Sequence, residues 1–268
     1  MKMQNISLTE YITTLQMGGR YAFTREEALH NLQITPEAFK LAALRLIKKK
    51  RLIRPKQGFY VIIPTEYQTV GAPPVTWYID SLMRYEPQDY YVGLLSAAAL
   101  HGAAHQQPQV FQVISVKRFR TIVTGRTRLQ CLIKQNIPAI SYQPLKTPTG
   151  YMNVSTPEMT AFDLVRYVKS AGYLNHVATI LSELQEKFDL TRFTQLLATE
   201  SLELPYLQRM GYLLEIIEAK EEILALIKNW INEHSPRFIP LRADKPYKTA
   251  PKNLDWHLYV NEEIESDI

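Results

Sequence analysis

Four consecutive cations, Lys48-Lys49-Lys50-Arg51, follow a stretch that already holds Thr35, Glu37, Lys40 and Arg45, and Arg54 and Lys56 come just after. Lysine and arginine in such density neutralise phosphates and release condensed counterions, which gives affinity for a nucleic-acid backbone without reading bases. A second group, Lys117, Arg118, Arg120, Arg126 and Arg128, gathers around Gly125. It reads as a solvated hairpin, an added contact to DNA, or a grip on an acidic protein surface.

Catalytic sets are weaker. Ser96, His101 and Asp163 supply the residue types of a nucleophile, a base and an orienting acid. Yet Ser96 sits inside a helical pattern with no nucleophile elbow, and His101 precedes a helix-ending glycine. A structural histidine is expected, and no catalytic residue is assigned. A metal nuclease needs clustered carboxylates beside a lysine; Glu186-Lys187 lies in a helical pattern instead. There is no P-loop and no zinc-protease helix. The single cysteine, Cys131, excludes an internal disulfide and a cysteine-based zinc site. Its neighbours Leu129 to Ile133 form an apolar strand-like run, so a buried, inert thiol is expected. No metal and no cofactor is called for.

The elements that must position the first cations are legible from their caps. Ser7-Leu8-Thr9-Glu10 is a capping box, and Leu8, Ile12 and Leu15 give the helix behind it an apolar stripe. Met17-Gly18-Gly19-Arg20 breaks it. Thr24-Arg25-Glu26-Glu27 opens a second helix with Ala28, Leu29 and Leu32. Thr35-Pro36 opens a third, with proline where no N–H is needed, predicted from Pro36 to about Lys50. Phe39, Ala42, Ala43 and Leu46 share its inner side; Glu37 and Lys48 lie opposite, flanked by Lys40 and Arg45. Leu41 and Leu44 also fall near the polar face, and the pattern leaves open whether they meet DNA or core. Leu52-Ile53-Arg54, the turn Pro55-Lys56-Gln57-Gly58 and Phe59 to Ile63 read as a hairpin.

This order is that of a winged helix-turn-helix. In that arrangement the third helix enters the major groove by its N-terminal residues, here Thr35, Glu37, Lys40 and Leu41, and the hairpin is a wing carrying Arg54 and Lys56. A small helical domain used for protein contacts would share the pattern.

The chain has 268 residues, 46% hydrophobic and 21% charged, with a formal net charge of +5, an ordinary globular composition with a mild basic excess. Met1 to Asn5 lead into the first helix without an apolar leader core. No run approaches the roughly 20 apolar residues of a membrane helix, so a cytoplasmic protein is expected. Val70-Gly71-Ala72-Pro73-Pro74 is the expected boundary between domains at 1–70 and 75–268. Beyond it, Trp77 to Tyr85 and Tyr91 to His101 read as helices. Val110 to Val116, Arg128 to Lys134, Ala139 to Leu145 and Tyr151 to Val154 read as strands. Helices dominate 156–232, Trp256 to Val260 reads as a strand, and Glu262 to Asp267 as a frayed end. The expected fold is α+β and mainly helical, a winged helix followed by a larger α+β domain. Arg209 is expected to pair with Glu215 or a neighbour. No coiled coil is apparent, which favours a monomer that loads in pairs on repeated sites.

Three motifs follow the winged-helix order: Tyr90-Tyr91-Val92-Gly93-Leu94-Leu95-Ser96-Ala97-Ala98-Ala99-Leu100-His101-Gly102, Val154-Ser155-Thr156-Pro157-Glu158-Met159-Thr160-Ala161-Phe162-Asp163-Leu164, and Leu207-Gln208-Arg209-Met210-Gly211-Tyr212-Leu213-Leu214-Glu215. Pro240-Leu241 and a Trp256 strand with Asn261 complete the series. The combination resembles the AbiEi-type antitoxins, the repressor half of bacterial abortive-infection toxin–antitoxin pairs, over nearly the whole chain. The resemblance implies an N-terminal domain that binds double-stranded operator repeats upstream of its own operon. It also implies a C-terminal domain that counters an AbiEii-type nucleotidyltransferase toxin and assists DNA binding. Arg51 departs from the family, standing where many relatives carry glycine after the third helix.

Overall fold

The computed structural model describes residues 6–103 and 108–265. Met1–Asn5, read as lacking a leader core, and Ser266 and Asp267 of the expected frayed end lie outside these residues. The described fold is α+β, with ten α-helices and mixed sheets. It divides into two compact units: Met1–Tyr91 with Gln109–Gln135 and Pro144–Asn153, and Val92–Pro108 with Asn136–Gln143 and Val154–Ile268.

The first unit opens with α1 (Leu8–Met17), β1 (Ala22–Thr24), α2 (Arg25–Leu32), α3 (Pro36–Lys48), β2 (Leu52–Lys56) and β3 (Phe59–Ile62). The three caps form as their residue types dictate. Ser7 Oγ accepts from the Glu10 N–H at 3.2 Å while the Glu10 carboxylate takes the Ser7 N–H at 2.7 Å. Thr24 and Thr35 accept from Glu27 and Ala38 N–H groups. Helix α3 stops at Lys48, short of the expected Lys50. Lys50 takes the left-handed conformation at φ 53°, and the Arg51 N–H reaches back to Leu46 O at 2.9 Å. This is the hydrogen-bonded stop in which glycine is favoured one residue past the cap. The demanding position is therefore Lys50, and Arg51 in place of glycine carries no left-handed strain.

The three strands form a sheet in the order β1-β3-β2, antiparallel throughout, with the register shifting between Ile53 and Lys56. Pro55, which has no N–H to give the ladder, sits in that bulge. Ile12, Phe23, Ala28, Leu32, Phe39, Ala43, Leu46, Leu52 and Tyr60 share one core beneath the helices. Tyr60 stacks on Phe23 at 5.5 Å between centroids and meets Phe39 edge-on at 5.3 Å.

The segment expected to divide the domains is packed. Ala72 and Val75 are buried, and Gly125 lies so close to Val70 O and the Gly71–Ala72 backbone that a Cβ there would collide. The Trp77 ring meets Tyr21 at 4.8 Å and Tyr67 at 5.3 Å. The first compact unit thus runs through 70–75 to Tyr91, because a Pro/Gly-rich turn can be a tight corner as readily as a linker.

The chain continues through α4 (Ile79–Tyr85), β4 (Tyr90–Val92), α5 (Leu94–Leu100), β5 (Val110–Ser115), β6 (Ile122–Thr124), β7 (Thr127–Ile133), β8 (Tyr142–Thr147) and β9 (Gly150–Ser155). The six strands run in the order β6-β7-β5-β4-β9-β8; β5 is parallel to β7, and β6 antiparallel to it. Two expectations are corrected here, and one strand is new. The helix read from Tyr91 begins as strand β4 and turns at Gly93 and Leu94, the latter at φ 50°. Ala139–Ser141 is a 3-10 turn after Pro138, and its strand starts at Tyr142. Strand β6 has only three residues, too few to show an alternation.

The second unit carries α6 (Pro157–Arg166), α7 (Tyr173–Leu184), α8 (Leu190–Leu197), α9 (Leu204–Ile216) and α10 (Glu221–Glu233). A small sheet of β10 (Ile239–Pro240), β11 (Lys252–Asn253) and β12 (Leu258–Tyr259) follows in the order β10-β12-β11. Helix α6 is buried on every side from Pro157 to Val165, with α5, α7, α8 and α9 packed around it. The expected Trp256 strand is confined to Leu258–Tyr259. Trp256 itself sits in a turn where its N–H donates to Asn253 Oδ1 at 2.9 Å. The expected frayed end is anchored by Glu262, which pairs with Arg242 at 2.8 Å and Lys245 at 3.3 Å.

Candidate nucleic-acid interface

Burial of Phe39, Ala43 and Leu46 fixes the roll of α3 and leaves one face outward: Glu37, Lys40, Leu41, Leu44, Arg45 and Lys48, with Lys49 and Lys50 beyond the helix end. The open question about the two leucines is answered in part. Leu41 is 57% and Leu44 43% exposed, so neither is core. Thr35 at the helix start is exposed, but its hydroxyl oxygen is engaged as the cap of α3, 3.2 Å from the Ala38 N–H.

The hairpin is held at its tip. Gly58 O accepts from the Arg25 N–H at 2.8 Å, and Gln57 O accepts from the Tyr85 hydroxyl at 2.9 Å. Gly58 has φ 80° and a Cβ there would meet that hydroxyl, so glycine is favoured at the turn. Lys56, expected as a free cation at the tip, is tied to Glu86 in an ion pair. Arg54 remains exposed. Glu37, Lys40 and Arg54 meet across a cleft of about 680 Å³, joined by Arg25 from the start of α2. Arg25 is absent from the sequence-based set. Its position directly after the Thr24 cap, where a side chain projects past the helix start, is the signal that could have found it.

The second basic group lies in the same compact unit. Lys117, Arg118 and Arg120 follow β5, Arg126 occupies the β6–β7 turn and Arg128 lies on β7; all five are exposed. Strand β2 of the hairpin packs against β6.

The residues considered for catalysis have structural places. Ser96 is buried in α5. His101 directs Nε2 to Ser155 O at 2.7 Å, which requires the proton on Nε2, and burial pushes its pKa below the ordinary 6.5. Asp163 is fully buried in α6. Glu186 pairs with Lys220 at 3.1 Å on the surface. Cys131 is half-buried rather than fully so, and burial pushes its thiol pKa up.

The motif residues act as joints of the second unit. Thr156 caps α6, with Pro157 in its first turn, and the buried Glu158 accepts the Asp189 N–H at 2.7 Å, tying α6 to the start of α8. Gln208 Nε2 donates to Arg237, Trp256 and His257 carbonyls at 3.0, 3.1 and 3.2 Å. Arg209 binds three carbonyls, of Leu241, Pro240 and Pro205; of the expected partners, Glu215 or a neighbour, it takes the neighbour Pro205 one turn back. A Cβ on Gly211 would fall inside the Trp256 ring.

Residues 91–216 match the family model of the AbiEi antitoxin C-terminal domain. No curated protein matches the chain. Among solved structures it is similar to the crystal structure of the RV2827C protein from Mycobacterium tuberculosis, at 16% identity and a TM-score of 0.66, over 93% of this chain and 89% of that one. At that identity the likeness is one of fold. No described helix is long and apolar enough to cross a membrane.

Proposed function

We propose that this chain, which carries an AbiEi antitoxin C-terminal domain at residues 91–216, is a transcriptional autorepressor and the antitoxin to a nucleotidyltransferase toxin of the AbiEii type. In this reading the winged helix-turn-helix of residues 1–70 binds operator DNA, and the antitoxin function lies within 75–268, where the family match at 91–216 falls, in the cytoplasm. The observation that carries the DNA half is the outward face of α3. It joins Lys40, Arg45 and Lys48 to two exposed leucines, and ends at the cleft shared with Arg54. Leu41 and Leu44 lie exposed among these cations, and leucine beside a thymine methyl is a productive contact. The order α1, β1, α2, α3, β2, β3 supports the winged-helix reading.

Arg45, Lys48, Lys49 and Arg54 neutralise phosphates; Glu37, Lys40 and Leu41 face base edges; Thr35 acts through the cap that sets the helix start. Lys56 contributes charge while held by Glu86. Lys117, Arg118, Arg120, Arg126 and Arg128 extend the backbone contact. They favour DNA over an acidic toxin surface because they share a compact unit with the hairpin.

The test has two arms. A gel-shift titration on the DNA upstream of the chain's own gene should give salt-sensitive binding of two copies on repeated sites. No shift at low salt would sink the repressor half. Co-expression with the neighbouring nucleotidyltransferase gene should relieve that protein's growth arrest, and persistence of the arrest with antitoxin present would sink the other.

A further inference from the structure

The second unit contains a cleft that the DNA reading does not use and that the Arg209 joint borders. It measures about 320 Å³ and lies where the end of α6, the start of α7 and one face of α9 meet the turn Leu241–Asp244. Four cations line it. Two are neutralised: Arg166 by Glu203 at 2.5 Å, and Arg242 by Asp244 at 2.7 Å and Glu262 at 2.8 Å. Arg242 holds the Asp244 carboxyl down to about 2, so that carboxylate stays ionised. Of the other two, Lys169 acts on Asp244 through its charge without a direct ion pair, and Arg209 forms no ion pair with a carboxylate among the described residues.

Arg209 is the informative one. Its Nε, Nη1 and Nη2 donate to the Leu241, Pro205 and Pro240 carbonyls at 3.0, 3.0 and 2.9 Å. A guanidinium has about five N–H groups, so donors remain after the carbonyls are served. Burial works against its charge, lowering its pKa. A largely buried cation clamped in one orientation, with spare donors and no counter-ion, is arranged to receive an anion. Lys169, exposed at the rim, supplies a second charge. The walls are aromatic. Tyr206 lies under both Arg166 and Arg209, 5.9 and 5.8 Å from its centroid, and is thereby fixed. Tyr173 is 48% exposed, with Arg242 at 5.2 Å from its ring centroid and part of the ring left open.

We propose that this cleft binds a nucleoside phosphate, with the phosphate on Arg209 and Lys169 and the base against Tyr173. Arg209, which has no carboxylate counter-ion, and Lys169 at the rim together match the charge of a phosphate better than that of a carboxylate. The volume falls in the range of small-ligand sites, and a half-open tyrosine ring is the surface on which a base stacks. The proposal does not rest on the DNA reading, whose residues lie in the other unit.

The full chain is titrated by calorimetry in low salt with ATP, GTP, pyrophosphate and adenosine. Binding of ATP or GTP is expected at sub-millimolar concentration, with adenosine and pyrophosphate each at least tenfold weaker. Lys169→Gln, which breaks no bond in the fold, should weaken the nucleotide about tenfold with an unchanged melting temperature. Tyr173→Leu should bring ATP down to the pyrophosphate level. No heat with ATP or GTP at several millimolar, or equal affinity in Lys169→Gln, overturns the site. Equal binding of pyrophosphate and ATP overturns the nucleoside assignment, as does displacement of ATP by a short single-stranded oligonucleotide at lower concentration.

Discussion

Helices α3 and α6 both carry polar residues and place them oppositely. On α3, Glu37, Lys40, Arg45 and Lys48 point outward with two leucines among them, while small and aromatic residues face the core. On α6, Glu158, Thr160 and Asp163 are buried with their apolar neighbours. A polar side chain kept in water can serve a partner that arrives later; one kept from water must already be satisfied or it costs stability. The difference teaches that α3 keeps its polar side chains open to water, as the proposed recognition role requires, whereas α6 with α9 is a set of joints.

The sharpest break of that comparison is at Gly211. Valine there should displace the Trp256 ring and destabilise the protein by about 3 kcal/mol, read from urea midpoints. A loss under about 1 kcal/mol would mean the joint is soft. Next, Lys48→Glu with Lys49→Glu should weaken upstream DNA by about thirtyfold, near 2 kcal/mol. The salt dependence should flatten while the melting temperature holds; unchanged binding removes α3 from the interface. Leu41→Ala with Leu44→Ala should cost about fivefold in DNA affinity, roughly 1 kcal/mol, and leave stability within about 0.5 kcal/mol. Loss of stability instead would return them to the core. The smallest effect concerns His101. Its folded pKa is lowered, chiefly by burial, so the unfolded chain binds the proton first. Stability should be intact above about pH 6.5 and decline as pH falls through the histidine's ordinary range. His101→Asn should flatten that decline between pH 7.5 and 5.5; an equal decline in the variant assigns it to other groups.

The capped helices were legible because Ser7, Thr24, Thr35 and Thr156 act on backbone groups within three residues, and local chemistry of that kind is written in order along the chain. The cations of α3 were legible for the same reason, since an apolar stripe fixes the opposite face. The break at Gly93 and Leu94, the three-residue β6 and the packed corner at 70–75 were not, because each depends on what a distant segment places beside it. Lys56 belongs with these: nothing near it in the sequence announces Glu86.

By itself, then, the sequence determined the helix starts, the inner and outer faces of α3, the basic character of that face and a family resemblance over nearly the whole chain, of which residues 91–216 match the family model. Only the tertiary structure decided that Arg209 serves three carbonyls instead of a carboxylate, that Gly211 makes room for Trp256, and that Leu41 and Leu44 lie outside the core. The physical reason is reach. Caps and periodic faces are set by neighbours a turn away, while a buried charge or a ring against a glycine is settled by residues some thirty to fifty positions distant, which only folding brings together.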